Sequence, residues 1–347
     1  MSASGLRSGP SRMAHEIAEI PAAAERFLRE AGGEARAIGR RLAGLDPRVL
    51  VTVARGSSDH AATYLKYAVE IATGRPVASL GPSVASVYGT RLDLVGQAAL
   101  AVSQSGRSPD IVALLAAARR GGAKTIALVN VEGSPLAEAA DWPLALKAGP
   151  ETSVAATKSF VVSVLAGLTI LAGWTGDADL SSALEALPEH FEAALRLDWS
   201  PAHAPLAAAG SLYTLGRGPG FAVACEAALK FKETSLLHAE AFSGAELLHG
   251  PVSLVGEGFP VLAFVPGDAA RTGLSDICAR VAASGGRLFS VGASGHGEPL
   301  PHVSTGHPTT EPLAMLVSFY RFVEGVSRAR GQDPDAPRGL KKVTETR

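Results

Sequence analysis

Residues 212–221 have the sequence LYTLGRGPGF, in which a short apolar run leads into three closely spaced glycines. Apolar runs of this length between turn residues are typical of buried strands, and such glycine-rich turns let a strand continue directly into a helix. The sequence therefore predicts a strand over Leu212 to Leu215, a turn over Gly216 to Gly220 and a helix from about Phe221.

The same pattern occurs in the first half of the chain. Val49 to Glu70 corresponds to Leu212 to Glu233, and Ala98 to Val129 corresponds to Pro260 to Val291. Alternating strands and helices imply right-handed crossovers and a parallel sheet covered on both faces. The predicted fold is therefore α/β, with two tandem doubly wound domains that are each an α-β-α sandwich, because two copies of one unit explain 347 residues better than one large domain does.

Turn residues and prolines predict how the chain is divided. The predicted parts are an N-terminal helical segment (1–47), a first domain (48–198), a second domain (204–330) and an extended C-terminal strap (331–347). Within the first part, His15 to Leu45 is predicted to form two helices with Pro21 at their boundary. A linker is placed near Trp199 to His203, because Ser200-Pro201 is expected to break the preceding helix.

Composition argues against several classes of protein. Hydrophobic residues make up 47% of the chain and charged residues 19%, as in globular proteins. A formal net charge of -1 removes the usual electrostatic reason to expect nucleic acid or an anionic membrane as a partner.

Cys225 and Cys278 lie in apolar helical patterns that indicate neither disulfides nor a metal site, which fits a reducing cytoplasm. Phe160 to Trp174 is short for a bilayer span of about 20 residues and is predicted to be a buried helix.

Three ionisable residues share one face of the helix that follows the glycine-rich turn. Glu226, Lys230 and Glu233 are spaced i, i+4 and i+7. Such spacing commonly marks a surface ladder of salt bridges, but the neighbouring alanines, leucine and phenylalanine leave little polar surface, which favours a functional role. His249 precedes Gly-Pro and is placed on a loop, where functional groups concentrate. A single loop histidine nevertheless more often has no catalytic role.

Two serine-rich turns follow strands in the first half. The segment from Ser103 to Asp110 opens a helix for which Ser108 is a natural N-cap, and Gly106 lets the backbone approach a ligand. Ser57 and Ser58 occupy the equivalent turn of the neighbouring crossover. Both turns lie at the carboxyl ends of parallel strands, where ligands bind. Either turn alone would be an ordinary capped helix, but together they predict an anion site.

Several motifs resemble one known family. Residues 216–251 resemble the second sugar-isomerase (SIS) domain of glucosamine-6-phosphate synthase and its stand-alone relatives, in the motifs ALKFKE, HAEA and ELLHGP. Residues 13–17, 103–108 and 151–158 and the C-terminal tail resemble other segments of the family, so the resemblance covers nearly the whole chain. Arg107 departs from the synthases, which commonly have Gly-Glu-Thr where this chain has Gly-Arg-Ser, and favours the stand-alone relatives.

The resemblance implies site residues position by position. The implied phosphate-binding residues are Ser57, Ser58, Ser103, Gln104, Ser105 and Ser108, and the implied sugar-binding residues are Glu151 and Ala155. Glu233 is implied to be the base for the proton moved between C1 and C2, and His249 the acid or base in ring opening. Lys230 is implied to balance the developing charge. Lys342, on a strap that covers the active site, is implied to form a Schiff base with the sugar, with Lys341 as the alternative register.

The resemblance also implies a reaction. The expected function is that of a cytoplasmic SIS-type glucosamine-6-phosphate deaminase, a homodimer without metal or other cofactor, in which His249 reaches the neighbouring subunit's site. The synthases carry a glutaminase domain with a cysteine directly after the initiator methionine, whereas residue 2 here is Ser2, so nitrogen is expected to leave as free ammonia. The alternatives are a deglycase or deaminase for another amino-sugar phosphate, of the fructosamine or galactosamine type, and a non-catalytic sugar-phosphate-binding regulator.

Overall fold

The computed structural model describes residues 9–292 and 294–342, which form two compact units. The first unit contains residues 22–151 and 158–186, and the second contains residues 9–21, 152–157 and 187–342. Residues 187–198, which the sequence analysis placed in the first domain, thus fold with the second unit.

The described chain begins with three helices: α1 (Arg12–Ala18), α2 (Ile20–Glu30) and α3 (Gly32–Leu45). The prediction of two helices was wrong because the segment forms three, although a helix boundary does lie beside Pro21. Pro21 lies in the first turn of α2, where a proline removes no hydrogen bond that the helix needs and its fixed φ suits the helix. The breaks fall at Glu19 and Ala31, which flank α2.

The first unit is built on a parallel sheet. Its strands are β1 (Leu50–Val53), β2 (Val77–Ser79), β3 (Ala98–Ser103), β4 (Lys124–Val129) and β5 (Trp142–Ala145), in the order β2-β1-β3-β4-β5. The further helices are α4 (Ser57–Thr73), α5 (Ser83–Ser86), α6 (Pro109–Arg120), α7 (Pro135–Ala139), α8 (Lys158–Thr175) and α9 (Ala178–Glu185). Every neighbouring strand pair runs parallel, so the strands end at the same edge of the sheet.

Helix α8 is buried along most of its length. By length and composition it could cross a membrane, but 83% of it is buried in the protein, which confirms the predicted buried helix. A Cβ placed on Gly39 of α3 would lie 2.1 Å from the carbonyl oxygen of Ile170. The backbones of α3 and α8 are therefore in direct contact, and residue 39 has to be a glycine.

The second unit repeats this architecture. Its strands are β6 (Ser211–Gly216), β7 (His238–Ser243), β8 (Pro260–Val265), β9 (Arg287–Gly292) and β10 (Glu298–Leu300), in the order β10-β9-β8-β6-β7. Its helices after α9 are α10 (Leu187–Ala194), α11 (Ser200–Ala208), α12 (Pro219–Ser235), α13 (Gly244–Leu247), α14 (Arg271–Ala283) and α15 (Glu311–Ala329), and Pro251–Leu254 forms a 3-10 helix. Its neighbouring strand pairs are also parallel.

The two sheets have the same topology. Taken from the other edge, the second order becomes β7-β6-β8-β9-β10, which matches the first strand for strand. The turn before the first crossover helix also has the same conformation in both units, with φ 57° and ψ -134° at Gly56 and φ 57° and ψ -135° at Gly218. The predicted α/β fold of two tandem doubly wound domains is confirmed.

The segment predicted to be a linker is structured. Ser200 begins α11, and Pro201 occupies its first turn rather than ending a helix. The preceding residues are held to the second unit, since the Ser318 hydroxyl donates to the carbonyl of Ala194 at 3.0 Å and the Trp199 indole to that of Pro301 at 2.9 Å.

Candidate active site

The loop between β3 and α6 is a compact turn closed by its own serines. The Ser103 hydroxyl accepts the amide of Gly106 at 3.0 Å, and the Ser105 hydroxyl accepts the amide of Arg107 at 3.3 Å. Gly106 has φ 63°, and a Cβ there would lie 2.2 Å from Oγ of Ser134. This loop therefore needs a glycine both for its backbone conformation and for the space against Ser134.

Ser108 occupies the predicted N-cap position, but its side chain does not cap the helix. Its backbone is extended, with φ -65° and ψ 116°, Pro109 follows in the first turn, and the hydroxyl accepts no capping hydrogen bond. The hydroxyl is therefore not used by the helix itself. Together with half-buried Gln104 and Ser105, it gives this edge of the sheet several polar groups at a helix N-terminus, the arrangement that binds anions.

The turn after β1 lies beside this loop, because β1 and β3 are neighbouring parallel strands. Ser57 and Ser58 begin α4 there and are half buried. The structure thus brings the six predicted phosphate-binding residues to one edge of the first sheet. Arg55 and Asp110, which sequence analysis did not single out, join the two turns through a hydrogen bond from Nε of Arg55 to Oδ2 of Asp110 at 2.5 Å.

Glu151 is bonded to the start of α8. It is 5% exposed, its Oε1 accepts the amide of Ser159 at 3.0 Å and its Oε2 accepts the Ser159 hydroxyl at 2.5 Å. Ala155 belongs to the second unit, is buried, and accepts the hydroxyl of Ser153 through its carbonyl at 2.9 Å. The sugar contacts of both residues stay predictions.

In the second unit, α12 carries the three ionisable residues on one face, but this face is buried. Lys230 and Glu226 are each 0% exposed at the side chain, while Glu233 is 22% exposed. Nζ of Lys230 lies 3.3 Å from Oε1 of Glu226 and is hydrogen-bonded to Oε2 of Glu233. The ammonium therefore lies between two carboxylates, of which only Glu233 reaches the surface, and the pattern is not a surface ladder of salt bridges.

The two carboxylates favour the protonated form of Lys230. Burial lowers the pKa of Lys230, but the charges of Glu226 and Glu233 outweigh that effect, so the net pKa lies above its ordinary value. The hydroxyl of Tyr320 on α15 donates to Oε1 of Glu226 at 3.1 Å. Tyr320 is a residue that sequence reasoning missed, because a tyrosine within an apolar helix carries no local signal of a polar role.

The two remaining predicted catalytic residues lie on irregular segments of the second unit. His249 is exposed and lies two residues after the end of α13, with its amide donating to the carbonyl of Glu246 at 3.0 Å. Lys342 ends the described part of the strap and is half buried, whereas Lys341 is exposed. The strap contains turns and no helix over residues 331–342, as the prolines predicted.

Comparisons with a family model and with curated proteins point to the same protein family. The model of the SIS domain matches residues 46–172 and 205–292. The glutamine-fructose-6-phosphate aminotransferase (isomerizing) of Symbiobacterium thermophilum is 36% identical over 316 residues, which cover 85% of this chain and 51% of that protein. The chain thus spans about half the length of this curated relative.

Two solved structures are similar over nearly the whole chain. A candidate phosphosugar isomerase from Silicibacter pomeroyi DSS-3 has a TM-score of 0.91 and 52% identity, and the match covers 94% of this chain and 100% of that one. The glucosamine-6-phosphate deaminase of Thermotoga maritima has a TM-score of 0.77 and 23% identity, with 97% and 100% covered. At that identity, the second match shows the fold alone.

Proposed function

The chain belongs to the SIS domain family, and from that premise we propose that it converts glucosamine 6-phosphate to fructose 6-phosphate and ammonia. A relative named as an isomerizing aminotransferase and a structural neighbour named as a phosphosugar isomerase support an isomerase role. The choice of a deaminase, the substrate and a homodimeric assembly are part of the proposal. The cytoplasmic location stays a prediction.

The observation that carries the proposal is the buried ammonium of Lys230 between Glu226 and Glu233. A proton shuttle between C1 and C2 needs a carboxylate that reaches the substrate and a fixed positive charge for the enolamine that develops. Glu233 is the partly exposed member of the group, and Lys230 keeps its proton because its pKa is raised. These two residues therefore supply the base and the compensating charge.

The other steps have candidate residues in each unit. The serine-rich turns of the first unit bind the phosphate, and His249 opens the sugar ring. Glu233 removes the proton from C2 and returns it to C1, which leaves an imine at C2. The amine of Lys342 adds to that carbon and displaces ammonia, and water then hydrolyses the resulting Schiff base to the ketone, which releases the lysine.

Measurement of the ammonia and fructose 6-phosphate formed from glucosamine 6-phosphate tests the proposal directly. We expect both products in equal amounts, with kcat lower by about 10²- to 10⁴-fold in Glu233→Gln, the range for loss of a general base, and a comparable loss in Lys342→Ala. Lys232→Ala and Lys341→Ala are matched controls, because both lysines are exposed. Their activity is expected to be unchanged, and a loss confined to Lys341→Ala would move the Schiff base to the other register.

A substrate panel separates the alternatives. Turnover of a fructosamine or galactosamine phosphate in place of glucosamine 6-phosphate would show that the proposed substrate is wrong, while the proposed chemistry would stand. Tight binding of these compounds without formation of any product would contradict a catalytic role and favour a sugar-phosphate-binding regulator. Reduction with borohydride during turnover, followed by peptide mass spectrometry, checks whether the sugar is attached to Lys342.

Mixing of variant subunits tests the homodimer. His249 is exposed, so its imidazole is accessible to a second subunit. If it acts across the interface, Glu233→Gln and His249→Asn subunits form mixed dimers that each contain one intact site. A random equal mixture is then expected to regain about a quarter of wild-type activity, because half of the dimers are mixed. A mixture that exchanges subunits and stays inactive would contradict this part of the proposal.

A further inference from the structure

Helix α1 is bonded to the strap by a carboxylate. Oδ2 of Asp335 accepts the amide of Arg12 at 2.7 Å, and its Oδ1 accepts the amide of Met13 at 2.9 Å. Amides in the first turn of a helix have no partner within the helix, so Asp335 provides bonds that α1 cannot make for itself. The carbonyl of Asp335 also accepts Nη2 of Arg12 at 3.1 Å, and the strap is thereby fixed to the start of α1.

The same helix is bonded to the segment that precedes Ala155. Glu16 is 5% exposed, and its Oε1 accepts the amide of Thr152, the Thr152 hydroxyl at 3.1 Å and the amide of Ser153 at 3.1 Å. A buried carboxylate is costly unless it is hydrogen-bonded, and these donors provide that compensation. Glu16 therefore holds residues 152 and 153 in a fixed position relative to α1.

Helix α1 is too short to be stable by itself. It has seven residues, whereas isolated helices shorter than about 12–15 residues are marginal in water because nucleation is costly. The order of α1 therefore depends on its contacts with the rest of the second unit, which are the buried side chains of Met13 and Ile17 together with the hydrogen bonds of Glu16 and Asp335. Loss of the bonds to Asp335 loosens the turn that carries Glu16, and loss of the bonds to Glu16 loosens the first turn in the same way.

We propose that α1 is a shared anchor for two parts of the active site, and that Glu16 and Asp335 are positioning residues that act through it. Asp335 fixes the strap that carries Lys342, and Glu16 fixes the segment 152–157. The inference rests on the proposed function for the roles of Lys342 and Ala155. The mechanical coupling between the two segments is independent of that function.

Amide hydrogen exchange tests the coupling without any substrate. Asp335→Ala is expected to speed exchange at the amides of Thr152 and Ser153, and Glu16→Gln at those of Arg12 and Met13. Glu192→Gln is the matched control, because this exposed carboxylate on α10 pairs with Arg196 four residues along the chain, and it is expected to change neither set. Faster exchange only at the amides that the altered carboxylate itself binds would show that Glu16 and Asp335 act independently. That result would overturn the proposal that α1 couples the two segments.

Kinetics test the positioning role. Asp335→Ala is expected to lower kcat by about 10- to 100-fold, since a displacement of about 1 Å of a reacting group can cost 10²-fold, while KM changes less. Asp335→Asn retains one acceptor oxygen and is expected to recover part of the loss. Unchanged kcat in Asp335→Ala would overturn the positioning role while the proposed function stands. An inactive wild-type protein would overturn the proposed function, and the exchange experiment would still decide the coupling.

Discussion

Nε of Arg55 donates to Oδ2 of Asp110 at 2.5 Å, and this bond joins the turn after β1 to the first turn of α6. The Asp110 side chain is 0% exposed and that of Arg55 is 48% exposed, so the arginine brings a positive charge from the surface to a buried carboxylate. Burial raises the pKa of nearby Asp59 and outweighs the charges of His60 and Arg55, which lower it. The proposed phosphate site thus contains two acids that Arg55 offsets.

Arg55→Ala is expected to weaken binding of the anionic substrate and to destabilise the fold. The free energy of unfolding should fall by about 1–3 kcal/mol, the cost of leaving a buried polar group poorly satisfied, and the negative charge of Asp110, no longer offset by Arg55, should repel phosphate. Titration with glucosamine 6-phosphate and urea unfolding measure the two effects. Arg55→Ala combined with Asp110→Asn removes both charges and should restore much of the affinity. If the double variant binds as weakly as Arg55→Ala, repulsion by Asp110 is not the cause.

Lys230→Met is expected to destabilise the protein at neutral pH. The change leaves Glu226 buried at 0% exposure beside Glu233 without their shared cation, and the removal of one partner from a buried ion pair typically costs about 3–5 kcal/mol. Urea unfolding at pH 7 measures this cost. Glu226→Gln combined with Lys230→Met is the matched control, because it removes the buried carboxylate as well, and it should recover part of the loss.

The pH dependence of this cost follows from the raised pKa of Lys230. The folded protein holds this proton more tightly than the unfolded chain does, so the stabilisation is fully present below the unfolded pKa of 10.5 and is lost as pH rises through the higher folded pKa. The difference in unfolding free energy between wild type and Lys230→Met should therefore shrink above pH 10.5. A difference that stays constant or grows in that range would contradict the protonated state of the buried lysine.

Gly106→Ala is expected to disrupt the phosphate loop more than a conformational penalty alone can explain. A left-handed conformation costs a non-glycine residue about 1–2 kcal/mol, and the new Cβ would also lie 2.2 Å from Oγ of Ser134. Gly133→Ala is the matched control, since its φ is 66° and nothing lies within 4 Å of the added Cβ. We expect Gly106→Ala to lose more unfolding free energy than Gly133→Ala and to bind the sugar phosphate more weakly. Equal losses would remove the contact with Ser134 from the explanation.

Sequence reasoning worked best where the pattern is local. The start of α6 agrees with the prediction, because the buried strand β3 is followed by a serine-rich turn and Ser108 occupies the N-cap position directly before Pro109. Two prolines were harder to place. Pro21 and Pro201 both lie in the first turn of a helix, and the sequence pattern around them does not distinguish a helix start from a break.

Contacts between distant residues could not be predicted. Spacing placed Glu226, Lys230 and Glu233 on one face of α12, but not the burial of that face or the hydrogen bond from Tyr320, which is 94 residues away from Glu226. The hydrogen bonds that Thr152 donates to Glu16 and that Arg12 donates to Asp335 likewise arise only when distant segments pack together. The residues that position the proposed catalytic groups were therefore the ones that sequence analysis missed.

The thiol of Cys278 is expected to report opening of the second unit. Cys278 lies in α14 at 0% exposure, and burial raises the pKa of its thiol from 9.0 to about 12. Because the thiolate is the reactive form, about 10³-fold less of it is present than in an ordinary cysteine at pH 7 to 8. In a Cys225→Ser variant, a thiol reagent should therefore label Cys278 only as fast as the unit opens, and the rate should rise with urea. Rapid labelling of the native variant without denaturant would show that Cys278 is accessible and that the packing of α14 against its sheet is looser than the structure indicates.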